Sequence, residues 1–491
     1  MYRLVNRSFG RGRLGGLRYG ANLLGQAAGR GLYLAAGFAA FVMIGHAAGP
    51  EVLGRYGLAL AVLAVALIAA DFGTTLTFGA RLGAVGPEMR ATEFGRMLSA
   101  RLILGLGSGT VLLCLLPLLP GAIRPSLAFA GLLMPLTAAR FLDALFQVCE
   151  RPSWSVWPSL ANAATLIGGT ALALWLQLPE AALSLVAVAA GITYGVVGLS
   201  LAGRLVAARP ASLSDGLATI RAAAGVGISN ALGSLNGRIS LMMLAAFAGA
   251  VELGQFTAGF RVFELGAAVA ITLCAPLVPV FGRAVGTPAG RSAGGLEALR
   301  THVRIALTVI VGAACACAVA ACALAEPLVR LAFGSDFGGA VPVVRVATVM
   351  SVLLIAATIL FAGLVPLGRT AFAVRGSAAA CATNLIACTL LIPRDPLIGA
   401  AGAALLAEAA MLLVLVHAFW REAGPPLELA TVPLLAGPGL ATAFAWAAFP
   451  APLAPVTVPA VAILSAAAAA WLCLRRVPAQ TVPLTVSEAS S

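Results

Sequence analysis

The sequence predicts an all-α polytopic membrane protein with about fourteen transmembrane helices: two six-helix bundles in parallel repeat, plus two C-terminal helices. Three observations carry this. Apolar runs of about 20 residues recur from end to end, each long enough to span a bilayer. Only 10% of the 491 residues are charged, and mean hydropathy is +1.01. Arginine gathers in alternate loops, which is the positive-inside pattern of helical membrane proteins. A transmembrane barrel would alternate apolar and polar residues, and these runs do not.

Residues 1–20 set Arg3, Arg7, Arg11, Arg13 and Arg18 among Leu4, Phe9, Leu14 and Leu17. They read either as a helix lying on the inner membrane face or as a basic tail, and both readings put the N-terminus in the cytoplasm. The following apolar run reads as a retained first span, not a cleaved signal. Predicted spans cover residues 22–46, 56–80, 98–120, 126–148, 156–178, 182–203, 224–248, 255–281, 303–325, 341–366, 372–392, 398–420, 431–449 and 456–474. Loops then placed inside hold Arg81, Arg90, Arg96, Arg151, Arg204, Arg209, Arg221, Arg283, Arg291, Arg300, Arg369 and Arg421. Loops placed outside hold only Arg55, Arg124, Arg330 and Arg394. All outside loops are short. The longest, 326–340, reads as a small amphipathic element at the interface, and no segment is large enough for a soluble catalytic domain.

The turn GPEVLGRYG at 49–57 has an echo in GAVELGQF at 249–256: Gly49, Leu53 and Gly54 match Gly249, Leu253 and Gly254, and Tyr56 falls opposite Phe256. Further on, Phe78-Gly79-Ala80-Arg81 resembles Phe281-Gly282-Arg283. With six spans in each copy, the two copies share one orientation about an axis along the membrane normal. The predicted domains are a bundle at 1–205, a cytoplasmic connector at 206–220, a second bundle at 221–421, helices 13 and 14 within 422–474, and a cytoplasmic tail at 475–491. Function is expected in the seam between the bundles, with the bundles rocking in alternating access.

Composition excludes several classes. The net charge of +13 sits in loops beside apolar spans, so it marks membrane topology and not nucleic acid. Lysine is absent, and the phosphate-binding loop of an ATPase needs one. The nine cysteines lie mostly within apolar runs, and His46, His302 and His417 are far apart; small core residues are the preferred reading over metal ligands, and no cofactor is expected.

Ionisable residues inside spans are costly and point to function. Those singled out as substrate-binding candidates are Arg30, Asp71, Arg140, Asp143, Arg238, Arg261, Glu264 and Arg345. Counting along helices puts Arg30 about 24 Å below His46 and Asp71 about 22 Å below Tyr56, so these two are expected to face one another. Arg238, about 15 Å below Ala248, is likewise expected opposite Glu264, about 14 Å below Gln255. Arg140 and Asp143 share a helix face and read equally as a local structural pair. Arg261 and Arg345 have no obvious carboxylate. An arginine in that position wants an anion, and its guanidinium fork matches phosphate. Asp71 and Glu264 are candidates for proton coupling, and the sequence leaves the coupling ion, proton or sodium, unassigned.

GPEVLGRYG, the span ending in ADFG, then Arg81, resemble the polysaccharide export branch of the multidrug/oligosaccharidyl-lipid/polysaccharide flippase superfamily. Asn22 and Gln26, the stretch LAFGSDF at 331–337, and Gly368-Arg369 resemble it too. The resemblance implies a non-enzymatic transporter in a bacterial inner membrane, with both termini cytoplasmic. It implies flipping of an anionic lipid-linked oligosaccharide, carried on undecaprenyl pyrophosphate, for O-antigen or exopolysaccharide biosynthesis. Membrane lipids and polysaccharide polymerase or export machinery are the implied partners. Two other readings stay open: a cation- or drug-coupled antiporter of the same superfamily, and a polytopic glycan polymerase or ligase.

Overall fold

A computed structural model describes residues 12–137, 141–149, 151–274, 276–285 and 293–426; predicted spans 13 and 14 lie outside the described residues. The first structural event is set by Gly49-Pro50. Helix α1 (Gly12–Asp71) is interrupted at Gly49, whose φ of 77° and ψ of −177° suit glycine and almost nothing else. A straight helix over its apolar part, Ala28–Asp71, would be roughly 66 Å long, about twice the hydrocarbon thickness. Instead the chain doubles back: the rings of Phe41 and Tyr56, on either side of Gly49, have centroids 5.0 Å apart.

The remaining helices follow the predicted spans. They are α2 (Thr74–Ala84), α3 (Pro87–Leu115), α4 (Arg124–Leu132), α5 (Met134–Thr137), α6 (Leu142–Val148), α7 (Val156–Trp175), α8 (Glu180–Leu205), α9 (Leu213–Phe247), α10 (Ala250–Cys274), α11 (Leu277–Val285), α12 (Ala293–Ala306), α13 (Gly312–Ala323), α14 (Ala325–Phe333), α15 (Ala340–Leu364), α16 (Ala371–Leu391) and α17 (Pro396–Ala423). No strand occurs among the described residues. Eight helical stretches among them are long and apolar enough to cross a membrane. The predicted outer element at 326–340 is α14 and a following 3-10 turn, with Glu326 paired to Arg330 at 2.8 Å and Leu331 80% exposed.

Three predicted spans are broken, and a fourth, 303–325, runs from α12 through a π-helical turn at Leu307–Val311 into α13. The one at 56–80 breaks at Phe72 and Gly73, that at 126–148 is divided into α4, α5 and α6, and that at 255–281 is divided into α10 and α11. Pro135 lies within α5 and Pro276 between α10 and α11, where a missing N–H favours interruption.

Packing divides the chain into two compact units. One holds Met1–Ala258 with Ala332–Asp336, the other Gly259–Leu331 with Phe337–Ser491. The boundary falls inside α10, so α9 and the start of α10 pack with the first bundle. Within this first unit the two copies of the repeated turn meet. A Cβ added to Gly54 would lie 2.6 Å from the Gly254 nitrogen and nearer still to the Ala250 carbonyl oxygen. A Cβ added to Gly254 would lie 2.5 Å from the Pro50 carbonyl carbon. Backbone here touches backbone, which only glycine permits on both sides.

Small residues also set the contact of α1 with α7 and α8, through Ala36, Ala40, Ala163 and Ala190. Near the predicted inner end, α2, α3, α6 and α8 share a second cluster that includes Phe78, Phe94, Phe141 and Phe146. In the other unit, Phe281, Leu299, Val303, Leu360 and Phe419 form the core. Arg300 closes the end of α17 there, its Nε donating to the Ala423 carbonyl at 2.7 Å, where a cation complements the helix dipole.

The connector is fixed by a capping box. Ser212 is the N-cap of α9; its hydroxyl accepts from the Asp215 N–H at 3.2 Å, and its own N–H donates to Asp215 Oδ2 at 3.1 Å. Arg96 of α3 stands 3.5 Å from the same carboxylate, and the Arg209 N–H donates to the Ala91 carbonyl. The Ser212 hydroxyl and N–H, then Arg96, hold the Asp215 carboxyl below the usual carboxylate range. A carboxylate whose pKa is depressed by folding contributes fully above its unfolded pKa of about 4, and that contribution is lost as pH falls through the lower folded value. Hydrogen exchange at residues 209–220, corrected for intrinsic rates, is therefore expected to accelerate when pH drops from neutral into this range. Asp215→Asn should exchange faster at neutral pH and show little further change; an unchanged profile in the wild type would refute the assignment.

Candidate functional site

The ADFG stretch builds the best-defined polar site in the first unit. Helix α1 ends at Asp71 because Phe72 and Gly73 both turn left-handed, with φ of 37° and 71°. The chain then restarts as α2, with Gly73 at its N-cap, and the Asp71 side chain reaches forward to this junction. Its Oδ2 accepts from the Gly73 N–H at 3.1 Å, and its Oδ1 accepts from the Thr75 hydroxyl. The Thr74 hydroxyl donates back to the Asp71 carbonyl at 2.6 Å. A Cβ on Gly227 would lie 2.5 Å from the Phe72 carbonyl oxygen, so α9 backs directly onto the break.

The cation at this break is Arg101 of α3. Its Nη2 pairs with Asp71 Oδ1 and contacts the Thr75 hydroxyl, and its Nη1 donates to the Ala70 carbonyl at 3.2 Å. The guanidinium lies 5.0 Å over the Phe141 ring, a cation–π distance. The Arg101 side chain is 6% exposed, the Asp71 side chain 23%. Two residues beyond Phe141, Asp143 accepts a 2.8 Å hydrogen bond from the Tyr194 hydroxyl of α8. Arg101 thus ties the middle of α3 to the end of α1 and the start of α2, and the Asp143 bond ties α6 to α8.

This corrects the expected pairing of Asp71 with Arg30. Helical counting gives height along an axis but not the direction in which a side chain points. Arg30 is exposed on α1, while Arg101 reaches Asp71 from the neighbouring helix. The second expected pairing changes in the same way. Glu264 is engaged by Arg261, three residues earlier on α10, and Arg261 thus has the carboxylate that the sequence reading denied it. Both side chains are partly exposed, and this pair lies in the second unit. Arg238 is half-buried on α9, and Arg345 is exposed on α15. Arg140 lies outside the described residues, and Asp143 has Tyr194 as a partner.

Two buried ionisable residues inside predicted spans, Arg101 and Glu408, are not among the sequence-predicted site residues. Arg101 sat three residues inside the predicted span 98–120, close enough to its edge to pass for a loop residue. Helix α3 in fact starts at Pro87, which makes Arg101 interior. Glu408, in predicted span 398–420, is 5% exposed on α17, and its acidic character inside an apolar run was the missed signal. Among the described residues, no three His, Cys, Asp or Glu side chains converge closely enough to hold a metal ion.

A profile of the polysaccharide biosynthesis protein family matches residues 22–285, more than half of the chain. The chain belongs to this family. Solved structures of other membrane transporters share the fold. It is similar to the lipid II flippase MurJ in an inward closed conformation, with a TM-score of 0.72 over 92% of this chain and 98% of that one, at 11% identity. It is also similar to an inward-facing multidrug resistance MATE family transporter of the MOP superfamily, with a TM-score of 0.57 over 79% and 94% of the two chains, at 18% identity. A MOP superfamily transporter from Pyrococcus furiosus, characterised by a binding pocket of reverse polarity, matches with a TM-score of 0.51 over 84% and 94%, at 18% identity. No curated protein sequence matches the chain. At these identities the structural likeness establishes the fold, a polytopic helical membrane protein.

Proposed function

We propose that this family member is a flippase that moves a lipid-linked oligosaccharide repeat unit, carried on undecaprenyl pyrophosphate, across a bacterial inner membrane for O-antigen or exopolysaccharide assembly. The family match over residues 22–285 carries the reading. The fold shared with a lipid II flippase supports it. So does the chemistry of the spans: arginine is the basic residue throughout, and a guanidinium fork binds phosphate oxygens in pairs. On this reading Arg261 offers positive charge to the pyrophosphate, and Glu264 holds Arg261 in place until the substrate arrives.

A leaflet-accessibility assay in proteoliposomes tests this, using a fluorescent oligosaccharide linked to undecaprenyl pyrophosphate. Wild type is expected to expose label placed in the inner leaflet. Arg261→Ala is expected to slow exposure by roughly tenfold or more, the scale of one lost charge-assisted contact. Wild-type liposomes no faster than empty ones would end the flippase reading. A normal rate in this variant would remove Arg261 from the site and leave the function standing.

A further inference from the structure

Asp71 occupies a place built for an anion. Around its carboxylate converge the Arg101 guanidinium, the Gly73 N–H at 3.1 Å and the Thr75 hydroxyl, all at the start of α2, where free N–H groups favour negative charge. These donors belong to the first turn of α2 and to a cation that is 6% exposed. Arg101 is also under-used. Its Nε is buried and has no hydrogen-bond partner, because a carboxylate held by its own backbone reaches one edge of the guanidinium only. Asp71 is the more exposed partner, at 23%, so an incoming group meets the carboxylate first. A phosphate brings three acceptor oxygens in a tetrahedral spread where Asp71 brings two in a plane, and it can take an Nη and the idle Nε together.

We propose that this cradle is a phosphate-binding site, that Asp71 is its built-in substitute ligand, and that a phosphate group of the substrate displaces Asp71 from Arg101, Thr75 and the Gly73 N–H. The substrate identity rests on the flippase reading above; the cradle does not. The site lies at the end of the hairpin that the arginines Arg81, Arg90 and Arg96, around the α2–α3 junction, mark as cytoplasmic, the face on which a lipid-linked precursor is made and loaded. Asp71 then keeps Arg101 neutralised between cycles and competes with the ligand, so that binding stays weak enough for release.

The test is equilibrium binding to the purified full-length chain in detergent, with inorganic pyrophosphate and farnesyl pyrophosphate as separate probes. Asp71→Asn and Asp71→Ser both vacate the carboxylate, one at constant size and one by shortening; either suffices if the other does not fold. Each is expected to bind a probe at least about tenfold more tightly than wild type, the scale of one charge-assisted contact. Adding Arg101→Lys or Thr75→Val to Asp71→Asn should abolish the gain. Glu93→Gln, which removes a carboxylate from the same helix as Arg101, should show no such gain. Tighter binding of the farnesyl compound assigns the site to a lipid headgroup; equal gains assign it to free phosphate. No gain in either Asp71 variant, or an equal gain in Glu93→Gln, overturns the proposal and leaves a structural ion pair. Because binding is read without transport, a protein that fails to flip glycan yet shows the gain would keep the cradle and lose the flippase.

Discussion

Gly254→Ala is expected to destabilise the first unit by about 3 kcal/mol or more, the upper end of what overpacking costs. The added methyl would meet the Pro50 carbonyl carbon at 2.5 Å and its α-carbon at 2.9 Å. These are backbone atoms beside a left-handed turn, so no side-chain rotation relieves the clash; the α1 hairpin and the start of α10 have to move apart. Gly54→Ala meets the mirror-image obstacle at the Gly254 nitrogen and should behave alike. Gly37→Ala serves as the control, since nothing lies within 4 Å of its added Cβ; alanine's better helix propensity makes it neutral or stabilising by up to about 1 kcal/mol. Thermal unfolding in one detergent would show it: an apparent melting temperature lower by more than about 5 °C for Gly254→Ala, and no loss for Gly37→Ala. If Gly254→Ala melts with the wild type, the two turns do not touch through their backbones.

That contact shows how far the sequence could be read. The repeat was visible as matched letters, Gly49, Leu53 and Gly54 against Gly249, Leu253 and Gly254. That the copies face each other was not visible, because a repeat fixes equivalence of positions and not their separation. Positions related by a two-fold meet only if they lie on its axis. Spans were legible because hydropathy over about 20 residues averages over local detail. The same averaging hides the breaks at Phe72-Gly73 and around Pro135, which are backbone events inside runs that stay apolar. At the site, Asp71 was legible as a charge where none is cheap. Its partner was not, because hydropathy opens the span at residue 98, eleven residues after Pro87 opens the helix, and this leaves Arg101 near an apparent span edge. Arg261 and Glu264 were both legible, yet their mutual pairing was overlooked although three residues on a helix is a contact distance.

Arg101→Ala is expected to cost about 3–5 kcal/mol of stability, and the size of the loss comes from what it leaves behind. The guanidinium serves the Asp71 carboxylate, the Ala70 carbonyl at the end of α1, and the Phe141 ring at once. Without it, Asp71 retains only its local donors, the Gly73 N–H and Thr75, for a charge that is three-quarters buried. Asp71→Ala leaves the opposite orphan, an arginine that is 6% exposed. The double variant removes both orphans, so its loss should fall short of the sum of the single losses by about 1–3 kcal/mol, a coupling that neighbours in one network show and distant residues do not. Unfolding in detergent of the four proteins measures that coupling. A shortfall near zero would mean that Asp71 and Arg101 do not neutralise one another. A shortfall of the expected size would establish that the break after α1 is held by a charge pair, with or without a ligand competing for it.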